Sequence, residues 1–134
     1  MPKKILLIED ELQLIDIYET ILKKTGFKVE TLRYGFEAQQ RLKEIIEGKR
    51  EKPDLILLDL ILPDMNGIEI LKEAKNNEAT KEIPFFILTN YSDSDLEEIG
   101  KQLKAEKYII KTEFTPSQLA KLIDQWFRAK NTKS

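Results

Sequence analysis

The chain has no histidine and no cysteine, and these two absences exclude several kinds of chemistry. Without cysteine there are no disulfides, thiolate nucleophiles or zinc–thiolate sites, although this is neutral on the cellular compartment. Without histidine there is no Ser-His-Asp triad and no imidazole metal ligand, and the chain cannot carry a phosphohistidine. The chemistry that is left is that of carboxylates, hydroxyls and amines.

Internal repeats, low-complexity stretches and linkers rich in Pro, Gly or Ser are also missing. No apolar run approaches the length of a membrane span, and the four apolar residues after Lys3-Lys4 are too few for a signal peptide. Cytoplasmic residence is therefore the default expectation. The net charge of −2, with both signs interspersed, gives no general attraction to nucleic acid or membrane, so neither is expected as a partner.

The 134 residues suit one domain, which we place at residues 1–129, followed by a polar tail at residues 130–134. Short apolar runs alternate with helical patterns, which predicts βαβ units and a parallel sheet. The predicted strands are β1 (residues 4–8), β2 (28–32), β3 (55–58), β4 (84–88) and β5 (108–110). The predicted helices are α1 (from 12, ending by 26), α2 (36 to about 48), α3 (from 66), α4 (from 92) and α5 (116–129).

Strands β1 and β3 are continuously apolar, as central strands covered on both faces are, whereas the polar β2 belongs at an edge. Right-handed crossovers then favour a doubly wound sheet in the order 2-1-3-4-5 with five flanking helices. Asn66 is predicted to cap α3, and Thr115 and Gln118 to form a capping box at the start of α5. Buried positions are expected at Leu96, Ile99 and Leu103 of α4, and at Trp126 and Phe127 of α5.

Four of the five strands stop at a residue that can handle a phosphoryl group or its counter-ion. Strand β1 is followed by Glu9-Asp10, β3 by Asp59, β4 by Thr89 and β5 by Lys111. Parallel strands end at one edge of their sheet, and ligands of open α/β sheets bind at that edge. Three acids, a hydroxyl and an amine are therefore expected to face one pocket.

Three carboxylates held close together repel each other, and a hard divalent cation relieves the repulsion. Mg²⁺ suits oxygen ligands and needs only one or two carboxylates, and Mn²⁺ is the alternative. Asp59 is the candidate nucleophile, since a carboxylate can form an aspartyl phosphate. The cation would bridge Asp59 and the phosphoryl oxygens, while Lys111 neutralises another oxygen and Thr89 donates a hydrogen bond.

A set of motifs at these positions resembles the receiver domain of two-component response regulators. The motifs are Glu9-Asp10, Leu57-Leu58-Asp59-Leu60, Leu62-Pro63-Asp64-Met65-Asn66-Gly67, Leu88-Thr89 and Tyr108-Ile109-Ile110-Lys111. Each motif alone is weak, but together they are specific, because they occur in order and cover nearly the whole chain. The resemblance implies the flavodoxin-like, CheY-like fold with the strand order given above.

The resemblance also implies the role of each site residue. It makes Asp59 the phosphoacceptor, Asp10 a direct metal ligand, Glu9 an acid that acts through water, and the backbone carbonyl of Ile61 a further ligand. Thr89 would follow the phosphoryl group inward and Tyr108 would follow as an aromatic switch, while Lys111 is the amine of the pocket.

The partners are implied in the same way. A histidine kinase or phosphotransfer protein, or a small acyl phosphate, would supply the phosphoryl group, and the chain would catalyse transfer onto itself and its own slow dephosphorylation without a separate substrate. A downstream protein would bind the face formed by α4, β5 and α5, where Tyr108 lies, and homodimerisation would use the same face. No output segment follows α5, so we expect a stand-alone regulator or an excised receiver.

Four positions depart from the family pattern or add bulk to the pocket. Thr112 follows Lys111 where the family usually has proline, and we expect a trans bond there because a cis bond before a non-proline residue costs roughly 2.5–4 kcal/mol. Asn90 stands where a small residue is usual and narrows access to the pocket. Ile61 and Tyr91 flank the pocket with apolar bulk, which predicts slow hydrolysis of the acyl phosphate.

Other interpretations stay open. One alternative is that Asp10 only caps α1, with Gln13 completing the box. A haloacid-dehalogenase-type phosphatase also uses Asp, Thr or Ser, Lys and Mg²⁺, but it needs a second acid two residues after the nucleophile, where this chain has Ile61. A flavodoxin-like nucleotide or flavin binder would need a Gly-rich loop in place of Glu9-Asp10. A receiver-like interaction module that is never phosphorylated is the last option.

Overall fold

The computed structural model describes residues 2–90 and 94–131, and strands and helices alternate along them in the predicted order. The strands are β1 (Lys4–Ile8), β2 (Lys28–Leu32), β3 (Leu55–Asp59), β4 (Phe85–Thr89) and β5 (Lys107–Ile110). The helices are α1 (Leu12–Lys24), α2 (Gly35–Ile46), α3 (Gly67–Lys75), α4 (Ser94–Gln102) and α5 (Pro116–Asn131), and a 3₁₀ turn occupies Lys111–Glu113. Every helix in these ranges is too short or too polar to cross a bilayer.

The five strands form one parallel sheet in the order β2-β1-β3-β4-β5, which confirms the predicted topology. Every residue of β3 and β4 is buried, because helices cover both faces of the sheet. One face packs on α2 and α3, as in the cluster around Leu58 and Ile70, and the other on α1 and α5, as in the cluster around Leu57 and Ile123.

Two of the predicted helix starts have the expected hydrogen bonds. The amide of Gln118 donates to Oγ1 of Thr115 at 3.1 Å and the amide of Thr115 donates to Oε1 of Gln118 at 2.8 Å, which confirms the capping box. Oδ1 of Asn66 accepts from the amide of Ile68 at 2.9 Å and caps α3. These bonds satisfy amides that have no partner within their helices.

Two expectations need correction. Ile99 is 37% exposed rather than buried, because α4 approaches the sheet through the buried Gly100, with Leu96 and Leu103 partly buried beside it. A Cβ on Gly100 would lie 2.8 Å from Cδ1 of Ile87, so this contact is close. Helix α5 continues through Asn131, two residues beyond its predicted end at residue 129. The predicted start of α4 at residues 92–93 lies outside the described residues, as does most of the tail.

The last helix buries its aromatic pair largely as predicted. Phe127 is buried and Trp126 is partly buried, with its ring edge-on to Phe86 at 5.6 Å between centroids. Aromatic pairs favour this geometry. The two side chains therefore fix α5 against the sheet.

An ion network explains why the edge strand β2 is polar. One carboxylate oxygen of Glu30 lies 3.0 Å from Nζ of Lys4, and the other lies 3.0 Å from Nε of Arg41 and 3.2 Å from Arg50. Arg41 is almost fully buried and also donates to the carbonyl of Glu51. Burial opposes the ionisation of Glu30, but the hydrogen bonds from Arg41 and Lys4 outweigh it and lower its pKa.

We expect Glu30→Gln to lower the free energy of unfolding by about 2 kcal/mol at pH 7, since it leaves buried Arg41 without a charged partner. Because the folded pKa of Glu30 lies below the unfolded value of about 4.3, its contribution is present above that pH and is lost as the pH falls through the folded pKa. The difference in the free energy of unfolding between Glu30→Gln and wild type should therefore shrink under acid conditions. Urea unfolding of both proteins at pH 7 and at a pH below the folded pKa of Glu30 measures this difference.

A matched control is Glu47→Gln, which removes an exposed partner of Lys49 at 3.3 Å. It should change stability by less than about 0.5 kcal/mol at either pH. Equal effects of the two variants would contradict the role given to the Glu30 network.

Candidate functional site

The sheet register brings the predicted site residues to one edge. Ile8 pairs with Leu58, Asp59 pairs with Leu88, and Thr89 pairs with Ile110. Glu9-Asp10, Asp59, Thr89 and Lys111 therefore lie at or just beyond the carboxyl ends of four adjacent strands. The structure confirms the juxtaposition that the sequence predicts.

Lys111 bridges two of the acids. Its Nζ lies 2.6 Å from Oε1 of Glu9 and 3.1 Å from Oδ2 of Asp59, and all three side chains are at most 6% exposed. Burial by itself lowers the pKa of Lys111, but the hydrogen bond to Glu9 and the charge of Asp59 outweigh burial and raise that pKa. The ammonium is therefore charged at neutral pH and faces the candidate nucleophile.

Both carboxylate oxygens of Glu9 are already engaged. Oε1 accepts from Lys111, while Oε2 accepts from the amides of Asp10 and Glu11 at 3.0 and 3.2 Å. Burial raises the pKa of Glu9, its hydrogen bond to Lys111 opposes the rise, and the charge of Asp59 adds to it. These three hydrogen bonds fix the Glu9 carboxylate in place beside Lys111.

Asp10 is the acid whose carboxylate oxygens remain available to bind a metal ion. Its carboxylate makes no hydrogen bond or ion pair within residues 2–90 and 94–131, and the side chain is only half-buried. It does not cap α1, since the N-cap position is Glu11 and has no side-chain cap. The interpretation of Asp10 as a simple helix cap is therefore wrong.

The three acids fit a divalent cation. One oxygen each from Glu9, Asp10 and Asp59 lies within 4.8 Å of the others. Three carboxylates and one ammonium leave a net charge of about −2, and hard cations such as Mg²⁺ take oxygen ligands of this kind. The donor set therefore suits Mg²⁺ or Mn²⁺.

Asp59 is held by the loop that follows it. Its Oδ1 accepts from the amide of Ile61 at 3.0 Å, so one carboxylate oxygen is fixed by this backbone and the other by Lys111. The side chain of Ile61 is 51% exposed at the rim of the site. The second residue after the candidate nucleophile therefore offers no acid for a phosphatase of the haloacid-dehalogenase type.

The two candidate switch residues occupy different depths. Thr89 is fully buried at the end of β4, whereas Tyr108 is half-buried in β5 opposite Ile87 and beside Gly100 of α4. Asn90 is exposed next to Thr89. Tyr91, the other residue predicted to shield the pocket, lies outside the described residues.

Lys111 reaches the site from the 3₁₀ turn, an element that the sequence did not reveal. No peptide bond in the described ranges is cis, so the bond between Lys111 and Thr112 is trans, as expected. The turn leads directly into the capping box of α5.

Two residues near the site were missed or underestimated by the sequence interpretation. Arg33 donates through Nη2 to the carbonyl of Asp10 at 3.2 Å, and no sequence signal pointed to it. Asp64 entered the sequence prediction as part of a family motif, and it accepts from the amides of Gly35 and Phe36 at 2.8 and 2.9 Å. These two backbone hydrogen bonds lower the pKa of Asp64. Such a contact across 29 residues leaves no local pattern.

Comparison with known proteins identifies the family suggested by the sequence motifs. A family model described as the response regulator receiver domain matches residues 5–124. The phosphate regulon transcriptional regulatory protein PhoB from Rhizobium meliloti (strain 1021) is 32% identical over 130 residues, which cover 97% of this chain and 55% of that protein. The chain thus spans about half the length of this regulator.

Two solved structures are similar over most of their length. The phosphorylated cyanobacterial phytochrome response regulator RcpA is 33% identical with a TM-score of 0.80, over 92% of this chain and 89% of that one. The Mn²⁺-bound form of the response regulator Rcp1 is 34% identical with a TM-score of 0.76, over 82% of this chain and 81% of that one. The chain therefore belongs to the receiver domains of two-component response regulators, which are signalling domains and not enzymes that turn over a separate substrate.

Proposed function

We propose that the chain is a cytoplasmic, Mg²⁺-dependent receiver that accepts a phosphoryl group on Asp59 from a histidine kinase or phosphotransfer protein. The observation that carries this is the buried contact of Asp59 with Lys111, within reach of Glu9 and Asp10. That arrangement contains a nucleophilic oxygen, a charge-neutralising amine and a set of cation ligands in one place. The relationship to RcpA, a receiver solved in its phosphorylated form, supports it.

Four groups would hold the cation. Asp10 and Asp59 would bind it directly, Glu9 through water, and the backbone carbonyl of Ile61 would complete the protein ligands. The Mn²⁺-bound form of Rcp1 supports a divalent cation in this family. When bound there, a divalent cation would supply charge neutralisation for the negative oxygens that come together in the transfer.

The chain's own residues position the reaction. A carboxylate oxygen of Asp59 forms the new bond to phosphorus while the bond from phosphorus to the donor nitrogen breaks. The donor ring, protonated on its other nitrogen, keeps that electron pair and leaves as neutral imidazole. Lys111 then shifts its ammonium from the Asp59 carboxylate to a phosphoryl oxygen, because the carboxylate charge is lost when Asp59 is phosphorylated. The hydroxyl of Thr89 donates to another phosphoryl oxygen.

Movement of Tyr108 would carry the effect of phosphorylation to the protein surface. A phosphoryl group that draws Thr89 inward favours a conformation in which Tyr108 moves with it, and this changes the surface made by α4, β5 and α5. The downstream protein, or a second copy of the chain, would bind that surface. The half-buried position of Tyr108 beside α4 supports this step.

The proposal is tested by intact mass spectrometry after incubation with acetyl phosphate and Mg²⁺. Wild type should gain the mass of one phosphoryl group, Asp59→Asn should gain none, and Asp54→Asn, at the opposite end of β3, should react as wild type does. Wild type that stays unmodified would favour the unphosphorylated interaction module. Steady hydrolysis of an aryl phosphate would revive the phosphatase alternative.

Ile61 should control the lifetime of the phosphorylated form. Its half-exposed side chain lies two residues from Asp59 and hinders attacking water, so Ile61→Asn should speed dephosphorylation by about tenfold, or about 1.4 kcal/mol in the barrier. Loss of the phosphoryl mass with time measures it, with Ile61→Val as the control that keeps the apolar surface. An Asn variant with an unchanged lifetime would refute the shielding role.

A further inference from the structure

The loop between β3 and α3 is a closed unit. At its base the amide of Gly67 donates to the carbonyl of Leu60 at 2.7 Å, and Ile61 forms an antiparallel bridge with Asn66. The amide of Leu62 reaches the carbonyl of Met65 at 3.3 Å, which leaves Pro63 and Asp64 at the tip. These contacts fix the backbone of Ile61, whose carbonyl is a proposed metal ligand.

The tip is fastened to the start of α2. The two carboxylate oxygens of Asp64 accept from the amides of Gly35 and Phe36, one each, at 2.8 and 2.9 Å. The side chain of Met65 covers Gly35 so closely that a Cβ there would clash with its Cγ. A carboxylate on the first amides of a helix is a favourable contact, because those amides have no partner inside the helix.

The turn that precedes α2 is also attached to the loop after β1, which carries Asp10. Arg33 donates from Nη2 to the carbonyl of Asp10 at 3.2 Å, and its guanidinium lies 5.6 Å from the centre of the Tyr34 ring. The amides of Arg33 and Tyr34 both donate to Oε1 of Glu37, at 3.1 Å each, which holds the turn in shape.

We propose that residues 33–36 form a clasp that joins the loop bearing Asp10 to the loop bearing Ile61, and that Asp64 is a positioning residue for the cation site. The inference rests on the proposed function, because it concerns the cation that function requires. The geometry supports it: Arg33 fixes one side of the site, Asp64 fixes the other, and Glu37 holds the short turn between them.

A cation such as Mg²⁺ demands near-ideal geometry from its ligands, so loops that can drift apart bind it less well. Groups that orient metal ligands without touching the metal commonly change affinity by 10–100-fold when removed. Within residues 2–90 and 94–131, the carboxylate of Asp64 is hydrogen-bonded to Gly35 and Phe36 and to none of the proposed ligands. Its loss should therefore weaken binding without removing a ligand.

The test is isothermal titration calorimetry of the whole chain with Mg²⁺ at pH 7. Asp64→Ala removes both acceptors and should weaken binding about tenfold, whereas Asp64→Asn keeps one acceptor oxygen and should weaken it about threefold. Asp54→Ala and Asp54→Asn are matched controls, because Asp54 accepts from the amide of Lys4 at 2.7 Å at the other end of the sheet. Both Asp54 variants should bind Mg²⁺ as wild type does.

Amide hydrogen exchange supplies a second readout. In Asp64→Ala the amides of Gly35, Phe36 and Ile61 should exchange faster than in wild type, while those of β1 should not. Equal losses of affinity in Asp64→Ala and Asp64→Asn would show a charge effect only and overturn the clasp. Unchanged affinity in Asp64→Ala, or equal loss in the Asp54 variants, would overturn it too, whereas wild type that binds no Mg²⁺ would refute the proposed function itself.

Discussion

Lys111→Met is expected to lower the free energy of unfolding by about 3 kcal/mol at pH 7 in the absence of divalent cations. The ammonium lies 2.6 Å from Glu9 and 3.1 Å from Asp59, and its loss leaves two buried carboxylates facing each other without a counter-charge. Breaking a buried ion pair in this way costs about 3–5 kcal/mol. Glu9 limits the loss to the lower end of that range, because burial already raises its pKa and it can take up a proton.

The same substitution should also slow phosphorylation by acetyl phosphate, by at least about 10²-fold, because it removes a preorganised charge from the phosphoryl oxygens. Urea unfolding and the rate of mass gain measure the two effects separately. Lys101→Met is the control, since Lys101 is 67% exposed and lies 3.9 Å from Glu97 on α4, and it should change stability by less than about 0.5 kcal/mol. A Lys111→Met variant as stable and as reactive as wild type would refute the central contact of the site.

The fold was predictable because each element carries its own local signal. The apolar runs of β1 and β3 identify central strands, and the charged β2 identifies an edge. Strand order then follows from the handedness of crossovers. The site was predictable for the same reason, since the carboxyl ends of parallel strands meet at one edge and place Asp10, Asp59 and Lys111 together.

What the sequence did not reveal depends on contacts between distant segments. Asp64 binds α2 across 29 residues, and Arg33 binds Asp10 across 23, and neither contact has a periodicity or a spacing that a pattern can detect. Ile99 was expected to be buried because its spacing matches Leu96 and Leu103. Helix α4 instead meets the sheet at the neighbouring Gly100, which lies beside Ile87, and Ile99 stays partly exposed.

Gly67→Ala should lower the free energy of unfolding by about 3 kcal/mol and displace Asp59. A Cβ at this position would lie 2.6 Å from the backbone oxygen of Asp59 and 2.9 Å from Cα of Leu60. Both atoms belong to the backbone that ends β3, so relief requires movement of the strand end or of α3. Overpacking of this kind costs about 1–3 kcal/mol. We expect the upper end of this range, because the clash is with backbone atoms and no side-chain rotation can relieve it.

Gly100→Ala is the matched control for this prediction, because its Cβ would lie as close, 2.8 Å, to the flexible end of the Ile87 side chain. That contact can relax, and alanine gains about 1 kcal/mol of helix propensity over glycine, so the variant should be within about 1 kcal/mol of wild type. Urea unfolding compares the two, and Mg²⁺ titration shows whether Asp59 has moved. If the two substitutions destabilise the protein equally, the effect belongs to helical glycines in general, and the close approach of α3 to Asp59 is not what sets the geometry of the site.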